Sequence, residues 1–170
     1  MKDKAVQILT ESSFMAIATL RPDGWPQCTT VGYANEDLLI YFVISRKSQK
    51  FANIQRDDRV SIAIGRDVHI PSSIRGISLA ARASEVLDEK QRERAIKLLL
   101  ERRPALKRLE PPDPDRSADM RASPEIITVL DYSKGFGHSD VLTVGGGGIV
   151  GMTAARDDDW GYGAELKPTI

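Results

Sequence analysis

The sequence predicts a mainly β protein, built as an antiparallel barrel of six or seven strands that is closed or nearly closed. Three observations lead to this fold class. Apolar or alternating segments of strand length follow one another along the chain, short turns separate them, and one well-formed helix comes late. Successive strands with short turns pair antiparallel, and closing the sheet removes its exposed edges. The length of 170 residues suits one domain with a substantial core.

The first two strands are predicted to form a hairpin. The segment from Phe14 to Leu20 is apolar and indicates a buried strand. Residues 21–24, Arg-Pro-Asp-Gly, predict a tight turn, because proline sets the second position and glycine supplies a positive φ. The next strand, residues 25–34, alternates and places Thr29 and Val31 on one face.

The remaining elements are predicted from the same kinds of signal. A short helix opens the chain before the hairpin. After the hairpin come a strand from Leu38, a short helix at about 48–56, strands at 60–64 and 74–87, a helix to Arg103, a loop at 111–123, and strands at 125–132 and 141–144. Asp88 is the predicted N-cap of the helix that ends at Arg103, with Gln91 completing a capping box. Four glycines at 145–148 predict a flexible link. The domain is therefore expected to span residues 1–144, and residues 145–170 to form a flexible C-terminal tail.

The end of the third strand carries the strongest functional signal. The apolar run Leu38 to Ile44 predicts a buried strand, and hydroxyls, an amide and three cations follow it at residues 45–50. Phe51 and Ile54 are at helical spacing, so a helix is expected to start near Ser48. A helix start offers free backbone N–H groups and the positive end of the dipole, which suits a phosphate. The same residues are equally typical of a capped helix with solvated charges.

Composition and charge exclude several classes of protein. The 24 basic and 24 acidic residues balance, so no global attraction to nucleic acid or to anionic membranes is expected. No apolar segment approaches membrane-spanning length. The single cysteine, Cys28, allows no intramolecular disulfide and fits a reducing cytoplasm, where we expect the protein. We interpret Cys28 as a small strand residue and not as a nucleophile.

Six segments follow one another in an order that indicates a family. They are Ala16-Ile17-Ala18-Thr19, Arg21-Pro22-Asp23-Gly24-Trp25-Pro26, Thr29-Thr30-Val31-Gly32-Tyr33, Leu39-Ile40-Tyr41-Phe42, Ser48-Gln49-Lys50 and Asp58-Arg59-Val60-Ser61-Ile62. This order resembles the FMN-binding split-barrel family related to pyridoxamine 5′-phosphate oxidase. The resemblance covers residues 5–90 well and the rest of the fold loosely.

The resemblance implies a split β-barrel of the FMN-binding type and a homodimer with FMN at its interface. In the family, a Ser/Thr-Arg-Lys-like cluster holds the flavin phosphate, and this cluster corresponds to Ser48, Gln49 and Lys50. Gln49 stands where the family usually has arginine, so Arg46 and Lys47 are candidates to compensate.

The resemblance also implies which strand residues line the isoalloxazine ring. In the second strand these are Thr29, Thr30 and Val31, and Val43 and Ile44 at the end of the third strand contribute backbone contacts. Trp160 is the candidate to cover the ring from the partner subunit.

The implied function is that of an FMN-dependent oxidoreductase acting on a small organic or nicotinamide-type substrate. Two alternatives stay open, a non-catalytic protein that binds or stores flavin or haem, and a reductase that uses the deazaflavin F420. The chain lacks the arginine-leucine-x-proline signature of the enzyme that oxidises pyridoxamine phosphate, so we do not expect that activity. No catalytic residue is assigned. His138 is either a proton donor near a reduced flavin or a turn residue with no catalytic role.

Overall fold

The computed structural model describes residues 1–66, 68–110, 112–146 and 148–153. The strands in this part of the chain are β1 (Phe14–Leu20), β2 (Pro26–Glu36), β3 (Leu39–Ser45), β4 (Arg59–Gly65), β5 (Arg75–Glu85), β6 (Ser117–Asp131), β7 (Ser139–Gly145) and β8 (Gly148–Thr153). The α-helices are α1 (Lys2–Glu11), α2 (Gln49–Arg56) and α3 (Glu89–Arg102). Short 3-10 turns span Pro71–Ser73, Pro104–Arg108 and Tyr132–Lys134.

All the strands belong to one antiparallel sheet in the order β3-β2-β1-β4-β5-β6-β7-β8. β3 also pairs with β6, which closes six of the strands into a barrel. The long strand β6 makes this possible, because residues 117–122 pair with β3 and residues 126–130 pair with β7. The structure confirms the predicted antiparallel barrel, and β7 and β8 extend the sheet beyond it.

Alternating side chains fill the interior of the barrel. Ile17 lies opposite Ile62, Ile62 opposite Leu79, and Leu79 opposite Ile127, and all four side chains are buried. Burying a side chain of this size contributes roughly 1.5–3 kcal/mol to folding. Because side chains fill the barrel, a ligand as large as a flavin has to bind outside it.

Local caps start the two later helices. Ser48 caps α2, and its Oγ accepts the backbone N–H of Phe51 at 3.2 Å. Asp88 caps α3 as predicted and accepts the N–H of Gln91 at 2.8 Å. The capping box is not seen among the described contacts, since the side-chain amide of Gln91 approaches Tyr41 Oη at 3.4 Å instead. In the described part of the chain, no helix combines the length and apolar character needed to cross a bilayer.

The predicted loop at 111–123 is wrong in its second half, because β6 begins at Ser117. This part of the strand has buried alternate residues, which are Ala118, Met120 and Ala122. Small side chains give little strand signal, and Pro is disfavoured inside a strand. In the structure Pro124 lies opposite Ala81, where the pairing with β5 shifts register after Ala80. Such a bulge tolerates a proline inside a strand.

Strand pairing continues past residue 144, where the sequence predicts the domain to end. β7 ends at Gly145, β8 begins at Gly148, and these two glycines lie opposite each other. Gly146 has a φ of 59°, a value that glycine adopts without strain. Gly145 and Gly148 therefore face each other across a hairpin, and β8 extends the sheet beyond residue 144. The rest of the predicted tail, residues 154–170, lies outside the described residues.

Candidate functional site

The sheet opens into a gap between β2 and β3. These strands pair only from Tyr33 opposite Phe42 to Glu36 opposite Leu39. Beyond that register, residues 26–32 of β2 pair with β1, while the end of β3 pairs with β6. The two strands diverge, and their facing edges carry backbone groups that need water or a ligand as partner. We call the gap between residues 26–32 and 43–45 the split.

Lys50 lies at the base of the split. Its Nζ donates a hydrogen bond to Thr29 Oγ1 at 2.5 Å. Among the described residues, no carboxylate forms an ion pair with this ammonium group. Burial lowers the pKa of Lys50, and the nearby Cys28 opposes that shift in pKa. A partly buried cation without a counter-ion is unfavourable unless an anion joins it, so the position suits an anionic ligand.

The start of α2 adds hydrogen-bond donors beside Lys50. The Ser48 hydroxyl donates to the carbonyl oxygen of Ser45 at 2.7 Å and accepts from the amide of the first turn. The amides of Gln49 and Lys50 come before the first helical hydrogen bond and therefore point out of the helix. These amides and the helix dipole match what the predicted phosphate site at residues 48–50 requires.

A chain of amides fixes α2 against the barrel, and sequence reasoning missed it. Gln49 Nε2 donates to Asn53 Oδ1 at 2.9 Å. Asn53 is fully buried, and its Nδ2 lies 3.0 Å from Thr19 Oγ1 and 3.3 Å from Gln27 Oε1. Gln49 is thus a positioning residue. In the sequence, the feature that could have indicated this chain of hydrogen bonds is Asn53, an asparagine on the packed face of a short helix.

The two cations that were candidates to replace the missing arginine are placed differently. Arg46 forms a two-pronged ion pair with Glu85, with Nη2 2.5 Å from Oε1 and Nη1 3.2 Å from Oε2. Its Nε donates to the carbonyl oxygen of Pro114, and its guanidinium stacks 5.6 Å from the ring of Phe51. The hydrogen bond to Glu85 raises the pKa of Arg46. The structure therefore engages Arg46 with a carboxylate and leaves Lys47 exposed to solvent.

The predicted strand residues all border the split, but their side chains face different ways. Thr29 is half-buried at the base, and Thr30 is exposed on the outer face of the sheet. The side chains of Val31 and Ile44 lie in the barrel core, so only their backbone groups are available to a ligand. Val43 is half-buried.

His138 is not brought to the split. Its Nε2 lies 3.3 Å from Asp140 Oδ2, and Lys134 Nζ contacts the same oxygen at 2.9 Å. These residues lie where β6 ends and β5 begins, since Asp131 of β6 is opposite Arg75. Helix α2 covers the opposite end of the barrel, where β1 finishes. The printed contact of His138 is thus to Asp140, at the start of β7.

The family of the chain follows from its sequence as well as from this fold. The profile of the family described as pyridoxamine 5′-phosphate oxidase matches residues 1–127. The chain therefore belongs to the pyridoxamine 5′-phosphate oxidase family, as the order of its motifs predicted. No curated protein matches the chain in sequence.

Solved structures show the same fold. A haem-binding protein from Mycobacterium smegmatis has a TM-score of 0.71 at 20% identity over 84% of this chain, which spans 57% of that protein. General Stress Protein 26 from Bacillus anthracis has a TM-score of 0.61 at 23% identity, covering 76% of this chain and 92% of that one. An FAD-binding protein from Mesorhizobium loti has a TM-score of 0.60 at 19% identity, covering 74% and 91%.

Proposed function

We propose that the protein binds FMN in the split and is an FMN-dependent oxidoreductase for a small organic or nicotinamide-type substrate. The observation that carries this proposal is the ammonium group of Lys50, which forms no ion pair with the described residues and lies next to the start of α2, between two open strand edges. Membership of the pyridoxamine 5′-phosphate oxidase family supports it. The FAD-binding and haem-binding proteins of the same fold support a cofactor-binding role.

The residues of the split fit the parts of FMN. Lys50 Nζ and the first-turn amides of α2 would hold the phosphate, with Ser48 fixing the helix start. Backbone groups of Thr29 to Val31 and of Val43 and Ile44 would bind the polar edges of the ring and orient it. FMN, when bound, supplies hydride transfer, and the protein supplies position and electrostatic field. This division fits a split in which no catalytic set of side chains stands out among the described residues.

We propose further that the protein is a homodimer with FMN at the interface. The outer face of β1, β2, β4 and β5 carries two rows of small side chains that face solvent in the single chain. They are Thr30, Ala16, Ala63 and Ser78 in one row and Cys28, Ala18, Ser61 and Ala80 in the other. Small side chains let a second sheet approach closely, and this face adjoins the split. Ala63→Arg should give a monomer by size-exclusion chromatography with light scattering, whereas an unchanged dimer would place the interface elsewhere.

A non-catalytic flavin carrier is the second candidate, because the split holds no evident acid or base among the described residues. Use of F420 gains no support, since Arg46 is paired with Glu85 and contributes little free charge to a polyanionic tail. Haem binding through histidine gains none either, since neither described histidine, His69 or His138, lies at the split.

Spectroscopy and titration test the proposal. The purified protein should show a flavin absorption spectrum or bind added FMN, and FMN should bind more tightly than riboflavin, which lacks the phosphate. A colourless protein that also fails to bind FMN would remove the proposed function. Turnover of the loaded protein with NADH or NADPH would separate the oxidoreductase from the carrier.

A further inference from the structure

Three polar side chains of α2, spaced three residues apart, attach the helix to the hairpin of β1 and β2. Residues at this spacing share one face of a helix. The hydrogen bonds join Lys50 to Thr29 at 2.5 Å, Asn53 to Gln27 at 3.3 Å, and Arg56 to the carbonyl oxygen of Leu20, which lies opposite Pro26, at 2.8 Å. The partners descend along β2 as the donors ascend along α2. The helix therefore runs antiparallel to the stretch of β2 that borders the split.

Asn53 is the buried member of this set. Its side chain has no exposure to solvent, whereas Lys50 is half-buried and Arg56 is exposed. Its Nδ2 also donates to Thr19 Oγ1 at 3.0 Å, and its Oδ1 accepts from Gln49 Nε2 at 2.9 Å. Water competes little for hydrogen bonds in such a place, and breaking them leaves buried polar groups without partners. Of the three ties, the one through Asn53 is thus the most costly to break.

The apolar contacts of α2 do not define its position along β2 on their own. Ile54 is buried, and Phe51 packs against the same core. Apolar burial is non-directional, so it would tolerate a helix displaced by the rise of one residue, about 1.5 Å. A hydrogen bond would not, because it requires a separation of about 2.7–3.2 Å between donor and acceptor. The bonds of Asn53 to Thr19 and Gln27 therefore fix the register of α2 against the strands.

This register decides where the cationic end of α2 lies. Lys50 and the free amides of the first turn belong to the same short helix as Asn53, so a displacement at Asn53 moves them as well. In the observed register, Lys50 Nζ is level with Thr29 at the base of the split. A charge-assisted contact to a phosphate is short, at about 2.7–2.9 Å, and a misplacement of about 1 Å weakens it strongly. A ligand without a phosphate makes no such contact.

We infer that Asn53 is a positioning residue that gives the split its preference for a phosphorylated flavin over an unphosphorylated one. The inference rests on the proposed function, because it takes the phosphate of FMN as the group held by Lys50. Asn53 acts through the register of α2 and not by touching the ligand, since its side chain is fully buried. Thr19 and Gln27 share this role, because they accept the hydrogen bonds that hold the amide.

The test uses the full-length chain freed of bound flavin. Asn53→Leu keeps the approximate size of the side chain and removes its hydrogen bonds. Thr19→Val removes one acceptor of Asn53 without altering α2, and Thr19→Ser keeps that hydroxyl. Asn35→Leu is the matched control, because Asn35 is the other asparagine of the chain and is also buried. Its amide binds Arg102 and the carbonyl oxygen of Asp37, at the end of β2 remote from α2.

The measurements are the dissociation constants of FMN and of riboflavin, followed by flavin fluorescence, together with the thermal stability of each variant. We expect Asn53→Leu to weaken FMN binding about tenfold and riboflavin binding less than about twofold. Thr19→Val should act in the same direction by about threefold, since Gln27 still holds the amide, and Thr19→Ser should resemble the wild type. Asn35→Leu should lower stability without changing the ratio of the two constants, as a purely structural residue would.

Four outcomes decide the matter. If the folded Asn53→Leu variant keeps the wild-type ratio of the two constants, the inference fails while the proposed function stands. Equal weakening of FMN and riboflavin binding has the same consequence. If the wild-type protein binds no FMN, both fail. If Asn53→Leu does not fold, Thr19→Val decides, because an unchanged ratio in that variant overturns the inference.

Discussion

Both ends of the barrel carry buried or partly buried charges, but the charges are paired at one end and lack a counter-ion at the other. At the end where β5 begins, the buried carboxylate of Asp131 is paired with Lys4 and approached by Arg75, and Asp140 is paired with Lys134. At the split, the ammonium of Lys50 has a hydroxyl as partner and no carboxylate among the described residues. A charge that the fold itself neutralises stabilises the fold, whereas a charge left without a counter-ion is available to a ligand. The predictions below test this difference.

The largest effect on stability is expected at Asp131, whose carboxylate is paired with cations of the fold itself. Asp131→Asn removes a fully buried carboxylate and leaves Lys4 and Arg75 without a partner. We expect a loss of about 3–4 kcal/mol in the free energy of unfolding, measured by urea denaturation. FMN affinity should not change.

Asp113→Asn is the matched control for Asp131→Asn. Asp113 pairs with Arg116 at the surface, and its loss should change stability by less than about 0.5 kcal/mol. If Asp131→Asn were as mild as the control, the paired end would not be a stabilising cluster.

At the split, Lys50→Ala should weaken FMN binding by about 1–3 kcal/mol, the loss of one charge-assisted contact. Stability should be unchanged or slightly higher, because the substitution removes a desolvated charge that no carboxylate compensates. Isothermal titration with FMN and with riboflavin measures the effect, and only FMN should be affected. Lys47→Ala, which alters an exposed lysine, is the control. Equal losses for FMN and riboflavin would show that the phosphate binds elsewhere.

Acid should weaken the paired end. Burial opposes ionisation of Asp131, but hydrogen bonds from Lys4 and Ser133 outweigh it and lower its pKa to about 2. The pKa of Asp131 in the folded protein is below its value in the unfolded chain, which is near 3.8. The stability that ionised Asp131 contributes is therefore complete above about pH 4–5 and is lost as the pH falls toward 2. The loss amounts to up to about 2 kcal/mol. Unfolding free energies of wild type and Asp131→Asn, compared from pH 5 to pH 2, should converge; parallel curves would contradict the assignment.

The smallest effect on FMN affinity is expected when Arg46 loses its carboxylate partner. Glu85→Gln removes the partner of Arg46, at a stability cost below about 1 kcal/mol because the pair is partly exposed. The freed guanidinium adds positive potential near α2, so FMN should bind up to tenfold more tightly in titration. Adding Arg46→Gln to that variant should cancel the gain. Tightening that persisted in the double variant would exclude Arg46 as its source.

The features that the sequence predicted correctly are those that neighbouring residues decide. Ser48 was recognised as a helix start because a cap satisfies amides within the next turn, and Asp88 for the same reason. The predicted third strand ends at Ile44, one residue before β3 ends in the structure, since its apolar run stops at the first hydroxyl. The start of β6 was missed because Ala118 and Ala122 give little strand signal on their own, and only pairing with β3 and β5 makes that segment a strand.

The sequence alone predicted the antiparallel barrel, the order of its helices and strands as far as β7, and the helix start at Ser48, because alternation and capping act over a few residues. Tertiary structure decided which charges are free. Arg46 meets Glu85, 39 positions away in the chain, and Arg103 reaches Gly32 across the sheet. The divergence of β2 from β3 likewise depends on β6, which draws the end of β3 toward itself. Contacts between distant segments depend on how the strands close around the core, and a pattern of neighbouring residues does not predict that closure.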